Sequence, residues 1–136
     1  MALYLLDSST FSHLARDAAG PRRRLATLAP TDRVVTCTIV RGEILYGLAR
    51  LAPGRNRSLL EAKTTLLFAS IPCEAVAPSA AEHYARLRLH TERAGRPVGD
   101  NDLWIAAVAC DLDATLVAED TDFDSLPGLR LETWTR

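Results

Sequence analysis

A chain of 136 residues, 48% hydrophobic and 24% charged, is sized for one domain around one core, and no apolar run approaches the ~20 residues of a membrane span. The net charge of −1 hides an uneven distribution: residues 1–100 carry 14 basic and 9 acidic side chains, whereas residues 101–136 carry 2 and 8. Of the 16 basic residues 15 are Arg, the fork-shaped donor suited to phosphate, although a genome rich in G and C raises Arg as well. An acidic end that meets a polyanion makes sense only if cations intervene.

Apolar runs alternate with longer amphipathic stretches, the pattern of an α/β domain with a mainly parallel sheet. The opening Met1-Ala2-Leu3-Tyr4-Leu5-Leu6-Asp7 has no basic n-region and meets an acid at once, so Ala2–Leu6 reads as a buried strand and not a signal peptide. Ser8-Ser9-Thr10 caps a helix running to about Ala18, which Gly20-Pro21 breaks before a short basic helix, Arg22–Leu28. Val34–Thr36 is the second strand. Ile39–Leu51 and Asn56–Ser70 form a helical hairpin split by Pro53-Gly54, and Glu74–Val76 is a short strand. Ala80–Ala94 is a long helix closed by Gly95. Asn101–Leu112, apolar nearly all round, is a central helix. Thr115–Ala118 is a strand, Phe123–Leu126 one helical turn, and Leu129–Glu132 a last edge strand. Cys37, Cys73 and Cys110 read as reduced core thiols, which fits a cytoplasmic protein.

Ligands of an open parallel sheet collect beyond the carboxyl ends of its strands. Asp7 follows the first strand and Asp120 lies two residues past the fourth, while Asp102 opens the central helix. Glu43 falls about 80° from the centre of the stripe Val40, Ile44, Leu48 and Leu51, with Gly47 one turn on, which half-buries it beside open space. Each acid has a plainer reading. Asp7 and Asp102 also suit helix N-termini, Glu43 suits an ion pair with Arg41 or Arg50, and Asp120 suits a loop. Taken together, several anions at one end of one sheet repel each other unless a hard divalent cation binds them, and Mg²⁺ or Mn²⁺ takes oxygen ligands and keeps waters. Such a centre activates water against a phosphodiester.

Four segments in order resemble the PIN-domain nucleases, specifically the VapC toxins of bacterial toxin–antitoxin pairs. They are Tyr4–Ser9, Ile39–Gly47, Gly99–Ala107 and Thr115–Phe123, with Leu126–Trp134 also similar. The resemblance implies a single PIN domain over residues 1–136, with a central sheet flanked by helices in three layers. It implies a Mg²⁺- or Mn²⁺-dependent endoribonuclease with Asp7 and Asp102 as main metal ligands. Glu43 completes the shell directly or through water, and Asp120 holds a second ion or a water. Ser8 stands where the family has Thr and supports the site with its hydroxyl; Asp100 and Asp122 are further acids in supporting roles. A homodimer is implied too, with a VapB-type antitoxin whose tail covers the site and whose own domain binds operator DNA. The chain departs from the family at Ser9, where Asn is usual, and at Glu119, an extra anion where Asn is frequent.

Other features carry less. Arg22, Arg23 and Arg24, with Arg86, Arg88, Arg93 and Arg96, suit either a basic rim for RNA or solvated helix faces. His13, His83 and His90 lack zinc-site spacing and suit surface or packing roles. Trp104 reads as core or dimer contact. Leu48, Leu51, Leu59, Leu66 and Leu67 exceed what one short sheet needs, so part of the hairpin awaits a dimer mate or antitoxin helix. A phosphoacceptor receiver domain would need a strand-end Lys, and the one Lys, Lys63, is mid-helix. A phosphatase with an Asp nucleophile would need an acid at position 9. An inactive module that binds RNA or protein on the same fold remains the main alternative.

Overall fold

The computed structural model describes residues 1–134, so the last two residues of the domain expected over 1–136 lie outside it. The elements in order are β1 (Leu3–Leu6), α1 (Ser8–Ala15), α2 (Ala19–Ala26), β2 (Arg33–Cys37), α3 (Thr38–Ala49), α4 (Arg55–Ser70) and β3 (Cys73–Glu74). There follow α5 (Ala80–Ala94), α6 (Asp100–Asp111), β4 (Thr115–Val117), a 3₁₀ turn (Thr121–Ser125) and β5 (Arg130–Glu132). The five strands form one parallel sheet in the order β3-β2-β1-β4-β5, flanked by the six α-helices.

The order makes β1 the pivot. The chain leaves β1 for β2 on one side and later returns to β4 on the other, so the strand order reverses between β1 and β4. Ligands of open α/β sheets settle at such a crevice, just beyond the strand ends. Leu5 pairs with Val35 on one side and Leu116 on the other, and all three are fully buried. The helix α6 buries Leu103 and the unbroken run Ile105–Ala109, and packs mainly against α5. Its small residues let it lie close to the sheet, which holds the first turn of α6 at the rim.

Several boundaries differ from the sequence reading, each for a local reason. The break after α1 falls at Asp17, which takes a left-handed φ of 60°, and Gly20-Pro21 instead sits inside the first turn of α2. A proline there loses nothing, because the first helical N–H groups have no partner within the helix. The strand β3 pairs one residue earlier than expected, its approach set by the Thr36 amide donating to the Pro72 carbonyl at 2.9 Å. As an edge strand of two residues it leaves Cys73 exposed, so the expectation of three core thiols holds for Cys37 alone, with Cys110 half-buried. Leu51, expected in the core stripe of α3, lies beyond the helix end and is 36% exposed.

Candidate metal centre

Asp7 is the first residue past β1. Its amide donates to the Val117 carbonyl of β4 at 3.0 Å, and its Oδ1 accepts the Thr10 amide at 2.9 Å, capping α1. The capping role considered from sequence is thus present, and it uses one carboxylate oxygen. The side chain is buried at 5% exposure. Burial pushes its pKa up to about 6, helped by repulsion from Glu119 and Glu43 and opposed by the Thr10 hydrogen bonding.

Glu43 stands half-buried on α3, its stripe partners Val40 and Ile44 deep in the core. The Ser8 hydroxyl donates to its Oε1 at 2.5 Å, and the Asn101 amide reaches Oε2 at 3.5 Å. Neither arginine considered as its ion-pair partner is engaged with it: the Arg41 guanidinium lies over the Phe68 ring at 4.2 Å and Arg50 lies over Tyr46 at 5.6 Å. Nothing stands within 4 Å of a Cβ built on Gly47, so the space expected beside Glu43 is open.

Asp102, half-buried in the first turn of α6, also has its pKa raised to about 6. Burial is the leading cause, followed by repulsion from Glu43, Asp120, Asp7 and Asp122. Four other acids, from the end of β1, from α3 and from the segment after β4, are thus near enough to repel the Asp102 carboxylate. Asp120 is exposed, and its Oδ1 accepts the Asp122 amide at 2.9 Å, opening the 3₁₀ turn. Asp100 turns the other way, towards α5, where it accepts from the Tyr84 hydroxyl and lies 4.0 Å from Arg88. Trp104, half-buried, stacks on Tyr84 with ring centroids 4.0 Å apart.

No Arg or Lys among the described residues forms an ion pair with Asp7, Glu43, Asp102 or Asp120, although the chain holds 15 arginines. Among these residues no group of three or more His, Cys, Asp or Glu side chains stands close enough together to hold a metal ion. The donor set is all oxygen and its charge is uncompensated. It fits a small hard cation that keeps several waters and meets the protein through one or two carboxylates, and it does not fit a tetrahedral N/S zinc site.

The surroundings are mixed. A cleft of about 230 Å³ opens beside Ser8 and Glu43 between α1 and the α3–α4 hairpin, lined by Ser9, Ser12, Arg16 and Leu48 among others. An open hollow on the Asp122 side includes Arg96. Much of the expected basic rim is spoken for: Arg24 pairs with Glu132 at 2.7 Å, Arg22 with Asp17 at 3.7 Å and Arg88 with Glu92 at 3.2 Å. Sequence reasoning missed Asn101, whose side chain reaches Glu43 from α6, and His13, which lies against Glu119. Only the position of Asn101 beside Asp102 could have flagged the first, and nothing local flags the second.

The family model for the PIN domain matches residues 4–129. Ribonuclease VapC5 of Mycobacterium tuberculosis is 33% identical over 126 residues, which covers 91% of this chain and 87% of that protein. The solved structure of VapBC-1 from nontypeable Haemophilus influenzae superposes with a TM-score of 0.84 at 26% identity, covering 98% of this chain and 99% of that one. VapBC2 from Rickettsia felis, solved bound to a DNA fragment from its promoter, gives a TM-score of 0.88 at 24% identity over 98% and 99% of the two chains, a likeness of fold. Matched by the family model over residues 4–129 and 33% identical to a ribonuclease over most of both chains, the chain belongs to the PIN-domain family, among the relatives of the VapC ribonucleases.

Proposed function

We propose that this chain is a metal-dependent endoribonuclease, the toxin of a type II toxin–antitoxin pair. The observation that carries the reading is that Glu43, Asp120 and Asp7 all repel the Asp102 carboxylate, while no Arg or Lys among the described residues forms an ion pair with any of the four. Asp7 and Asp102 are the main ligands of Mg²⁺ or Mn²⁺, because burial and mutual repulsion make them the acids that gain most from a cation. Glu43 completes the shell directly or through water, with Ser8 and Asn101 holding its two oxygens. Asp120 holds a second ion or a water, and the Asp122 amide fixes its orientation. When bound, the cation supplies an activated water and offsets charge on the phosphodiester. The side chains place the scissile phosphate against this rim, and Arg16 and Arg96, in the flanking cleft and hollow, draw the strand on either side.

Partners follow from the relatives, two of which were solved as VapBC complexes. A VapB-type antitoxin covers the site and brings operator DNA through its own domain, and the chain pairs with a second copy of itself. No described helix is long and apolar enough to cross a membrane.

The test is cleavage of total RNA by the purified chain with Mn²⁺ or Mg²⁺, with EDTA, and after Asp7→Asn. Asn still caps α1, so the fold is kept. Cleavage is expected to fall at least 100-fold with EDTA and with Asp7→Asn, and to return when metal is added back to wild type. An Asp7→Asn protein that cuts as well as wild type removes Asp7 from the mechanism. RNA bound but never cut by wild type favours the inactive-module alternative.

A further inference from the structure

A further carboxylate, Glu119, follows the end of β4. The Val117 carbonyl accepts both the Asp7 amide at 3.0 Å and the Thr10 hydroxyl at 3.2 Å, so the β1–α1 junction lies directly against the end of β4. Ala118 is held on the far side, its amide donating to the Glu132 carbonyl at 3.1 Å and its carbonyl accepting from the Thr133 hydroxyl at 3.0 Å. With Val117 and Ala118 so held, the next residue, Glu119, leaves the strand end close to the β1–α1 junction, its side chain 23% exposed. Of the carboxylates that repel Asp7, Glu119 acts more strongly than Glu43. His13, in the second turn of α1, brings Nδ1 within 3.3 Å of Glu119 Oε1. That nitrogen is closed off from solvent and makes no well-aligned hydrogen bond.

We propose that Glu119 is a fifth carboxylate of the metal centre, reaching the cation from the Asp7 side, and that His13 is the positioning residue that holds it there. The inference rests on the metal-dependent reading above. Two carboxylates side by side in a half-buried place cost free energy, and a cation between them turns repulsion into attraction. The imidazole gives the outer oxygen of Glu119 a donor once the side chain turns to the ion. Partners of this kind orient a ligand and strengthen metal binding about 10- to 100-fold. His13 thereby has a use for a nitrogen that the packing alone leaves unaligned.

The experiment is a Mn²⁺ titration of the purified chain, followed by the electron paramagnetic resonance signal of free Mn²⁺, with each variant's fold checked by circular dichroism. Glu119→Gln is expected to weaken binding about 10-fold. His13→Leu is expected to weaken it about 10-fold, and His13→Asn, whose amide nitrogen stands near the place of Nδ1, to restore it to within about twofold. A Glu119→Gln protein that binds Mn²⁺ like wild type overturns the inference. So does a His13→Leu protein that binds as tightly or more tightly, because a side chain that merely adds positive charge nearby would behave in that way. Should His13→Leu fail to fold, Glu119→Gln alone decides. Wild type that binds no Mn²⁺, or binding indifferent to Asp7→Asn, sinks the metal site as a whole. Binding sensitive to Asp7→Asn but not to Glu119→Gln sinks only the role of Glu119.

Discussion

One carboxylate oxygen of Asp7 receives the Thr10 amide at 2.9 Å, and the side chain is nonetheless pushed towards the protonated form by burial and by its acidic neighbours. Asp102 shares that fate, for the same first cause. In the unfolded chain both acids release their protons near the ordinary value of 3.8, whereas in the metal-free folded chain they keep them to about pH 6. Folding therefore takes up protons between these values, and stability present below pH 4 is lost as the pH climbs through 6. For Asp7 the loss is on the order of 3 kcal/mol. Melting of the metal-free chain at pH 4.5 and pH 7.5 is expected to show this fall, reduced in Asp7→Asn, and added Mn²⁺ is expected to raise the melting temperature more at the higher pH. A fall of equal size in Asp7→Asn would show that other groups cause it. At this scale the sequence was informative where a side chain's neighbours were local. Asp7 is recognisable from the strand before it and the Ser-Ser-Thr after it. The freedom of Glu43 from Arg41 and Arg50 was not legible, because those arginines are drawn off by Phe68 and Tyr46, and Phe68 comes from another helix.

The elements were legible in kind because period and punctuation agree. The long helix α5 begins and ends where its flanking Pro78-Ser79 and Gly95 indicate. Gly95 takes a left-handed φ of 65°, and its amide donates back to Glu92, closing the last turn. Gly95→Ala is expected to cost about 1 kcal/mol, read as a lowered denaturant midpoint at unchanged slope, with RNA cleavage by the folded protein intact. A neutral or stabilising effect would mean the turn relaxes to another cap. Where the reading slipped, the deciding partner lay far along the chain. Pro72, which sets the register of β3, answers to Thr36, and no pattern within residues 71–76 displays that pairing. Gly20-Pro21 looked like a stop because the pair usually is one. Asp17, a residue that tolerates the left-handed region, ends the helix first and leaves the proline where its missing N–H does no harm.

Across the whole molecule, the polar rim and an apolar flank stand apart. Tyr46, Leu59 and Leu66 on the α3–α4 hairpin are 65%, 52% and 70% exposed, in line with the surplus of leucine noted there. Under the proposed function this flank belongs to the antitoxin or to a second copy of the chain. Tyr46→Lys combined with Leu66→Lys is expected to leave stability within about 0.5 kcal/mol per site while abolishing one of those assemblies. Size-exclusion chromatography with light scattering, on the chain alone and on the co-expressed pair, reads the outcome. An unchanged mass in both samples would assign the flank to neither.

The central position of β1 has a further consequence, one of timing. Asp7 and Glu43 leave the ribosome early, while Asp102 and Asp120 belong to the last third of the chain, and β4 slots in beside β1 only after both have been made. A nascent polypeptide of a hundred residues thus owns half of the acids and no second wall for the crevice. Under the proposed function, a chain truncated before β4 is expected to leave RNA uncut. RNA cleavage is, on the same reading, expected to appear only when the final strands dock.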